Sequence, residues 1–250
     1  MAKPAPRELE VIQSSRITPN MQRITLGGSA MAEFPSDQQS AYIKLYFPKG
    51  EAEKPDVRTY TIRHQRDGEI DVDFNLHDDG SSGPASLWAR NTRPGDRILV
   101  GGPGPKKMIN QEADWFLLVG DMTALPAISV NLAQLPEHAM GHAVIDVMDP
   151  ADIQTLERPL GIQLHWLVNP SPDPKGERLV EHVRMLALPD GTPSVWAACE
   201  FSSMKQLRQH LREALKVPRE QLYISSYWKL GQSEAQHKVT KSRDAEQDRA

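Results

Sequence analysis

The feature that most limits what this chain can fold into is a change of hydrophobic rhythm near its middle. From Leu9 to Pro103, short runs alternate apolar and polar residues between turn signals. From Asp114 onward, short apolar runs alternate with stretches of helical spacing. Alternation at period two is the mark of a strand with one buried face, and Ile70-Asp71-Val72-Asp73-Phe74-Asn75-Leu76 follows it strictly. Strands are expected at residues 8–14, 21–26, 41–47, 58–64, 70–77 and 96–100, with turns at Pro19-Asn20, Asp67-Gly68 and Pro94-Gly95. A helix interrupts them at residues 84–90, where Pro84 follows Gly83 and suits a first helical turn. Six strands with one helix before the last predict an N-terminal antiparallel six-stranded β-barrel.

In the second half, strands are expected at residues 115–119, 142–147, 164–168, 195–198 and 222–224, and helices at 124–135, 151–156, 178–188 and 203–215. Alternating strands and helices predict a C-terminal parallel-sheet domain. The polar stretch 106–113 marks a boundary, dividing the chain into 1–112, 113–228 and a charged end at 229–250. In that end, residues 232–238 are expected to be helical and the last dozen residues mobile.

Composition narrows the function classes. Lys and Arg number 29 against 33 Asp and Glu, a net charge of -4, which disfavours a nucleic-acid binder that must neutralise phosphates. A mean hydropathy of -0.52 and the lack of a long apolar run exclude a membrane span from the expectation. The single cysteine, Cys199, lies in an apolar run and is read as a core residue. The start, MAKPAPRELE, has no signal-peptide stretch, so a cytoplasmic location is expected.

The segment Arg58-Thr59-Tyr60-Thr61-Ile62-Arg63 is the most informative. Two arginines, together with the helix N-terminus at Gly83-Pro84-Ala85-Ser86, make a plausible diphosphate site. Tyr60 offers a π face to a planar ring, and Thr61 a hydrogen bond to a ring nitrogen. Other constellations carry less. His138 and His142 are four apart, but Pro136 and Gly141 interrupt a helix there, and no metal ligand set is expected. Ser202-Ser203 reads as a helix N-cap. Lys205, Arg208 and Arg212 read as a solvated helix face, with contact to a 2′-phosphate as the alternative.

The hexapeptide at 58–63 resembles the R-x-Y-T-x-R form of the siderophore-interacting protein family, FAD-containing ferric-siderophore reductases within the ferredoxin-reductase-like superfamily. In order along the chain, Asp73-Phe74-Asn75-Leu76-His77 resembles the family's D-F-x-x-H, Gly83-Pro84-Ala85-Ser86 its G-P-A-[ST], and Gly120-Asp121-Met122-Thr123-Ala124-Leu125-Pro126-Ala127 its G-D-E-T-A-L-P-A. Pro94-Gly95-Asp96, Gly101-Gly102-Pro103-Gly104 and Tyr223-Ile224-Ser225-Ser226-Tyr227-Trp228-Lys229 resemble further family segments. Met122 replaces an acidic residue, Cys199 stands where glycine is usual before Glu200, and Lys229-Leu230-Gly231 is less basic than the family's ending.

The resemblance implies an FAD-binding β-barrel domain at 1–112, an NAD(P)H-binding α/β domain at 113–228, and a C-terminal helix and tail. It implies that Arg58 and Arg63 hold FAD phosphates, that Tyr60 stacks on the isoalloxazine, and that Thr61 bonds near its reactive nitrogen. By the same resemblance Asp73 and His77 touch the ribityl, pyrophosphate or adenosine side, and Ala85 and Ser86 donate to the pyrophosphate. Asp121, Thr123 and Ala124 meet FAD adenosine or the nicotinamide donor, and Trp228 borders the flavin or covers the nicotinamide site. Lys44, in Tyr42-Ile43-Lys44-Leu45-Tyr46-Phe47, heads a cationic rim for the anionic chelate, with Lys229 and Lys238. The implied activity is an FAD-dependent NAD(P)H oxidoreductase that reduces a ferric siderophore and releases Fe(II). The alternatives are a flavin-bearing siderophore-binding protein without turnover, or a flavin reductase with a protein acceptor. NADPH or NADH is the expected donor, and a monomer the expected state.

Overall fold

A computed structural model describes residues 5–49, 53–76, 83–171 and 173–248. The chain forms two compact units. The first gathers residues up to Met108 with Ser129–Asn131 and Asp149–Leu156, and the second takes the remainder.

In the first unit, β1 (Arg7–Thr18), β2 (Met21–Gly27), β3 (Tyr42–Phe47), β4 (Asp56–Arg66), β5 (Glu69–Asn75) and β6 (Arg97–Gly101) close into an antiparallel barrel in the order β1-β2-β5-β4-β3-β6. The alternation read from the sequence fills the barrel. Ile24, Leu26, Ile43, Leu45, Ile62, Ile70, Val72, Phe74 and Val100 all point into one core and are fully buried. Helix α1 (Pro84–Asn91) sets Ala85 and Ala89 into that core, and its Trp88 packs at 5.6 Å from Phe74 and 5.7 Å from Phe47. The β4–β5 register slips by one residue between Ile62↔Val72 and His64↔Asp71, so Arg63 sits in a bulge.

The other face of β5 is buried as well, and its carboxylates are satisfied across the strands. Asp73 lies opposite Arg23 and accepts from it through both oxygens, at 2.6 and 2.8 Å. Asp71 accepts from Thr25 Oγ1 at 2.8 Å, from Arg66 at 2.7 and 2.9 Å, and pairs with His64 Nδ1 at 3.1 Å. Burial raises the Asp71 carboxyl, but the His64, Arg66 and Thr25 donors outweigh it and hold it well below the usual carboxylate range.

Residues 151–156, expected as a helix, form only a 3₁₀ turn over Pro150–Asp152 followed by chain without regular secondary structure. The reason is Asp152, fully buried, whose carboxylate accepts from Thr18 Oγ1 at 2.6 Å, Asn20 N at 2.9 Å and Asn20 Nδ2 at 2.8 Å. These bonds pin the segment to the β1–β2 turn.

In the second unit, β7 (Trp115–Asp121), β8 (Met140–Val147), β9 (Gly161–Val168), β10 (Pro193–Glu200) and β11 (Leu222–Trp228) form a parallel sheet in the order β11-β10-β7-β8-β9. Helix α2 (Leu125–Ala133) follows β7, α3 (Glu177–Arg184) follows β9 and α4 (Phe201–Gln209) follows β10. Helices α3 and α4 bury Leu179, Val180, Val183, Met204 and Leu207 in a core shared with β7 and β10. Gly120 permits the close approach of the α2 start, since a Cβ there would lie 2.8 Å from Ala124 Cβ and 2.7 Å from Ala198 O.

The structure corrects two expectations in this unit. The N-cap of α4 is Glu200, not Ser202-Ser203; its carboxylate accepts from the backbone N–H groups of both serines. The helix expected at 232–238 is α5 (Glu234–Gln247), which continues well into the stretch expected to be mobile. It is fastened by polar contacts rather than an apolar stripe. A Ser233–Gln236 capping box starts it, Arg208 grips Asp244 with two bonds of 2.8 Å, and Arg212 pairs with Asp248 at 2.6 Å. His237, lowered to about 4 by burial and the nearby Lys241 and Lys229, pairs as a neutral imidazole with Ser226 Oγ at 2.9 Å.

Asp71→Asn removes the charge that four donors converge on, and we expect it to cost about 2 kcal/mol of stability. Because the folded carboxyl is lowered, its contribution is present above the unfolded value of about 4 and fades as pH falls below it. Urea melts between pH 7 and pH 3 should show a smaller loss of stability with acidification in Asp71→Asn than in the parent.

Candidate functional site

In the first unit, β4, β5 and α1 bring several of the expected residues together. Tyr60 on β4 leans on Phe74 of β5, with ring centroids 4.3 Å apart and planes at 38°. Next along β5 is Asn75, whose carbonyl oxygen lies 3.4 Å from Ser86 Oγ in the first turn of α1. The start of α1 therefore sits beside the strand that carries Phe74, the ring on which Tyr60 leans. Its N-cap is Gly83, with no side-chain cap among the described residues and no acidic residue in the first turn. Unsatisfied N–H groups and the positive dipole end at such a turn favour an anion. Asn75 Oδ1 is buried nearby without a hydrogen-bond partner among the described residues. An uncapped helix start, an orphaned polar atom and a half-buried tyrosine fit the phosphates and planar ring of FAD.

Arg58 and Arg63 are half-buried on β4, Arg58 with Nη1 at 3.2 Å from Val57 O and 3.7 Å from Asp56 Oδ1. Thr61 lies opposite Tyr42, and Lys44 opposite Thr59, so these four share one face of the barrel wall. Lys44 makes no ion pair among the described residues. Asp73 is different: both of its oxygens are already taken by Arg23. His77 lies outside the described residues.

In the second unit, the strand order reverses between β7 and β10, the place where an open parallel sheet leaves a crevice at its carboxyl ends. Asp121 ends β7 and organises that crevice. It accepts from Thr123 N at 2.9 Å, from Thr123 Oγ1, from Glu200 N at 3.0 Å and from Trp228 Nε1 at 2.8 Å. Burial pushes its carboxyl above the ordinary value even with these donors. Thr123 is half-buried and Ala124 fully buried at the start of the α2 turn. Asp121 and Trp228 thus meet directly, as a carboxylate fixing the indole over the crevice.

The crevice also contains residues that sequence reasoning missed: Asp146 at the end of β8, Asn169, Asp173 and Arg178. Their strands and loops are far apart in the chain, and only the strand order unites them. Of the expected cations, Lys229 lies with Nζ 4.6 Å above the Phe201 ring, and Lys238 is exposed beside Glu234 at 3.4 Å. Arg208 and Arg212 are engaged with Asp244 and Asp248 and seat α5, whereas Lys205 is exposed, so of the face expected to be solvated only Lys205 is. Cys199 is buried, and burial pushes its thiol well up, which suits a core residue. Among the described residues no helix is long and apolar enough to cross a membrane.

Comparison with known proteins gives matches over almost the whole chain. Residues 113–231 match the family model described as siderophore-interacting protein, and residues 10–57 and 49–107 match that of the siderophore-interacting FAD-binding domain. Ferric vibriobactin reductase ViuB of Vibrio cholerae is 31% identical, over 92% of this chain and 91% of that protein. The NADPH-dependent ferric-chelate reductase of Escherichia coli is 28% identical, over 89% and 92%. The crystal structure of the siderophore-interacting protein SipS from Aeromonas hydrophila superposes with a TM-score of 0.86 at 34% identity, covering 97% of this chain and 98% of that one.

The open start of α1 yields a test with two opposite signs. A Cβ at Gly83 meets nothing within 4 Å among the described residues, and its backbone is extended, so Gly83→Asp is accommodated. Its carboxylate would cap α1, stabilising the FAD-free protein by about 0.5 kcal/mol, and would occupy the position offered to a phosphate. We expect a raised melting temperature without FAD and at least about tenfold weaker FAD binding by equilibrium dialysis.

Proposed function

This chain belongs to the siderophore-interacting protein family, and from that premise we propose that it is an FAD-dependent oxidoreductase that passes electrons from NADH or NADPH to a ferric siderophore, releasing Fe(II) in the cytoplasm. One reduced nicotinamide gives up a hydride, two ferric complexes each take one electron, and one proton is released. Bound FAD supplies the needed conversion, accepting two electrons together and passing them on singly. Hard oxygen ligands hold Fe(II) far less tightly than Fe(III), so reduction frees the metal.

The chain's own residues bind and orient. Arg58 and Arg63 hold the FAD phosphates, aided by the amides of Ala85 and Ser86 at the uncapped α1 start. Tyr60, braced by Phe74, presents a ring for stacking, and the Thr61 hydroxyl offers a hydrogen bond to the flavin ring. In the second unit Asp121, Thr123, Ala124 and Trp228 border the crevice for the donor. Lys44, Lys229 and Lys238 supply positive charge toward an anionic chelate in a protein whose net charge is -4. No general acid or base is required, since the reacting iron keeps its ligands until it is reduced. The observation that supports this reading most is the helix α1, open at its N-terminus and docked next to the strand that braces Tyr60.

The purified protein is expected to be yellow, to bleach with a reduced nicotinamide under anaerobic conditions, and to regain colour on adding a ferric chelate. A colourless protein that takes up no FAD would end the reading. Arg58→Ala should lose FAD on gel filtration, because a phosphate without its partner is costly in a half-buried site. Lys44→Ala should keep FAD but reduce an anionic ferric chelate several-fold more slowly at low salt, with the difference closing at high salt.

A further inference from the structure

One part of the second unit's crevice has no task in the proposed reaction. Asp146 is the penultimate residue of β8, the neighbour of β7, where a dinucleotide fold places the group that meets the adenosine ribose. Its Oδ2 accepts from Asn169 Nδ2 at 3.0 Å. Its Oδ1 is buried and has no hydrogen-bond partner among the described residues. A buried oxygen with an open lone pair is costly unless a ligand or water supplies a donor.

The surroundings decide what kind of donor. Asp121, Asp173 and Glu200 line the crevice together with Asp146, and Arg178 is the cation among its lining residues. The start of α3, which lines the same crevice, is closed to phosphate. Asp173 accepts from the backbone N–H groups of Lys175 at 3.0 Å, Glu177 at 2.6 Å and Arg178 at 3.1 Å, so a carboxylate already fills the anion position at the head of α3. Glu200 does the same for α4. Arg208 of α4 and Arg212 just beyond its end are held by Asp244 and Asp248, and Lys205, the other cation of α4, is exposed with Nζ 6.0 Å from the Phe201 ring. A dianionic 2′-phosphate would find four carboxylates here, whereas a hydroxyl would find a vacant acceptor.

We propose that Asp146 is the specificity-determining residue for the electron donor: its Oδ1 accepts a hydrogen bond from the adenosine 2′-hydroxyl of NADH, and the acidic crevice rejects the 2′-phosphate of NADPH. The inference rests on the reading that a pyridine nucleotide enters at the carboxyl ends of this sheet. Burial, with Asp121 adding and Asn169 opposing, raises the Asp146 carboxyl to about 6, which leaves it charged at neutral pH. A site built to bond a hydroxyl discriminates more strongly than an apolar one, because a misfit ligand leaves the acceptor unpaired.

Calorimetric titration of the FAD-loaded protein with NADH, NADPH, 5′-AMP and 2′,5′-ADP tests this without turnover. We expect NADH and 5′-AMP to bind at least about tenfold more tightly than their 2′-phosphorylated counterparts at neutral pH. Asp146→Ser should weaken NADH at least about fivefold while strengthening NADPH, and Asp146→Asn, close in shape, should chiefly relieve the rejection of phosphate. Equal or tighter binding of NADPH by the parent protein overturns the assignment and needs no variant to be folded. Equal weakening of both nucleotides by Asp146→Ser overturns it too. If neither nucleotide binds nor bleaches the flavin, the donor reading itself fails and the role of Asp146 falls with it, a result distinct from tight NADPH binding, which removes Asp146 alone.

Discussion

Closure of the barrel is the constraint on which the first unit depends. The pairing of β6 with β1, from Arg7↔Val100 to Glu10↔Arg97, completes the ring and leaves no strand edge without a neighbour. With the ring closed, the side chains of β4 are fixed in alternation, so Ile62 faces the core and Tyr60 is pressed on Phe74. The bulge at Arg63 then re-aims the strand just beyond the tyrosine. An open sheet of the same strands would twist freely and would not hold an aromatic face and two guanidinium groups at fixed positions.

A second theme is that buried carboxylates in this protein are employed in different ways according to how many donors reach them. Asp71, Asp73 and Asp152 are each fully engaged and act as rivets between strands or segments. Asp121 is as crowded, but its donors include the Trp228 indole, so it positions an aromatic at the mouth of the crevice. Asp146 alone among these keeps a buried oxygen with no donor among the described residues. The contrast separates groups that hold the fold from one with capacity left for a ligand.

The strands were legible because a period of two is local: each run states its own buried face, and the six barrel strands and five parallel strands lie where alternation and apolar runs put them. The placement of the residues proposed to hold FAD was legible for the same reason, since Arg58, Tyr60 and Thr61 fall within one strand and Ala85 and Ser86 within one helical turn. What sequence could not give depends on partners distant in the chain. Helix α5 has no apolar stripe, and its anchors Arg208, Arg212 and Ser226 lie on other elements. The cap of α4 escapes a sequence reading because Glu200 is an unusual capping residue, while two serines stand just beyond it. Asp146, Asn169 and Arg178 come together only through the order of strands in the sheet.

The short stretch Asp149–Leu156 is made after β7, α2 and β8 yet packs as a piece of the barrel. Ribosomal synthesis therefore delivers the six strands before the carboxylate that ties off their first hairpin. Until Asp152 emerges, Thr18 and Asn20 must be served by solvent. A gene fragment ending at the polar stretch after β6 would encode every strand of the ring and still lack that clasp. The flavin module is thus interleaved along the chain with the parallel-sheet unit, and is not a cassette to be cut out whole.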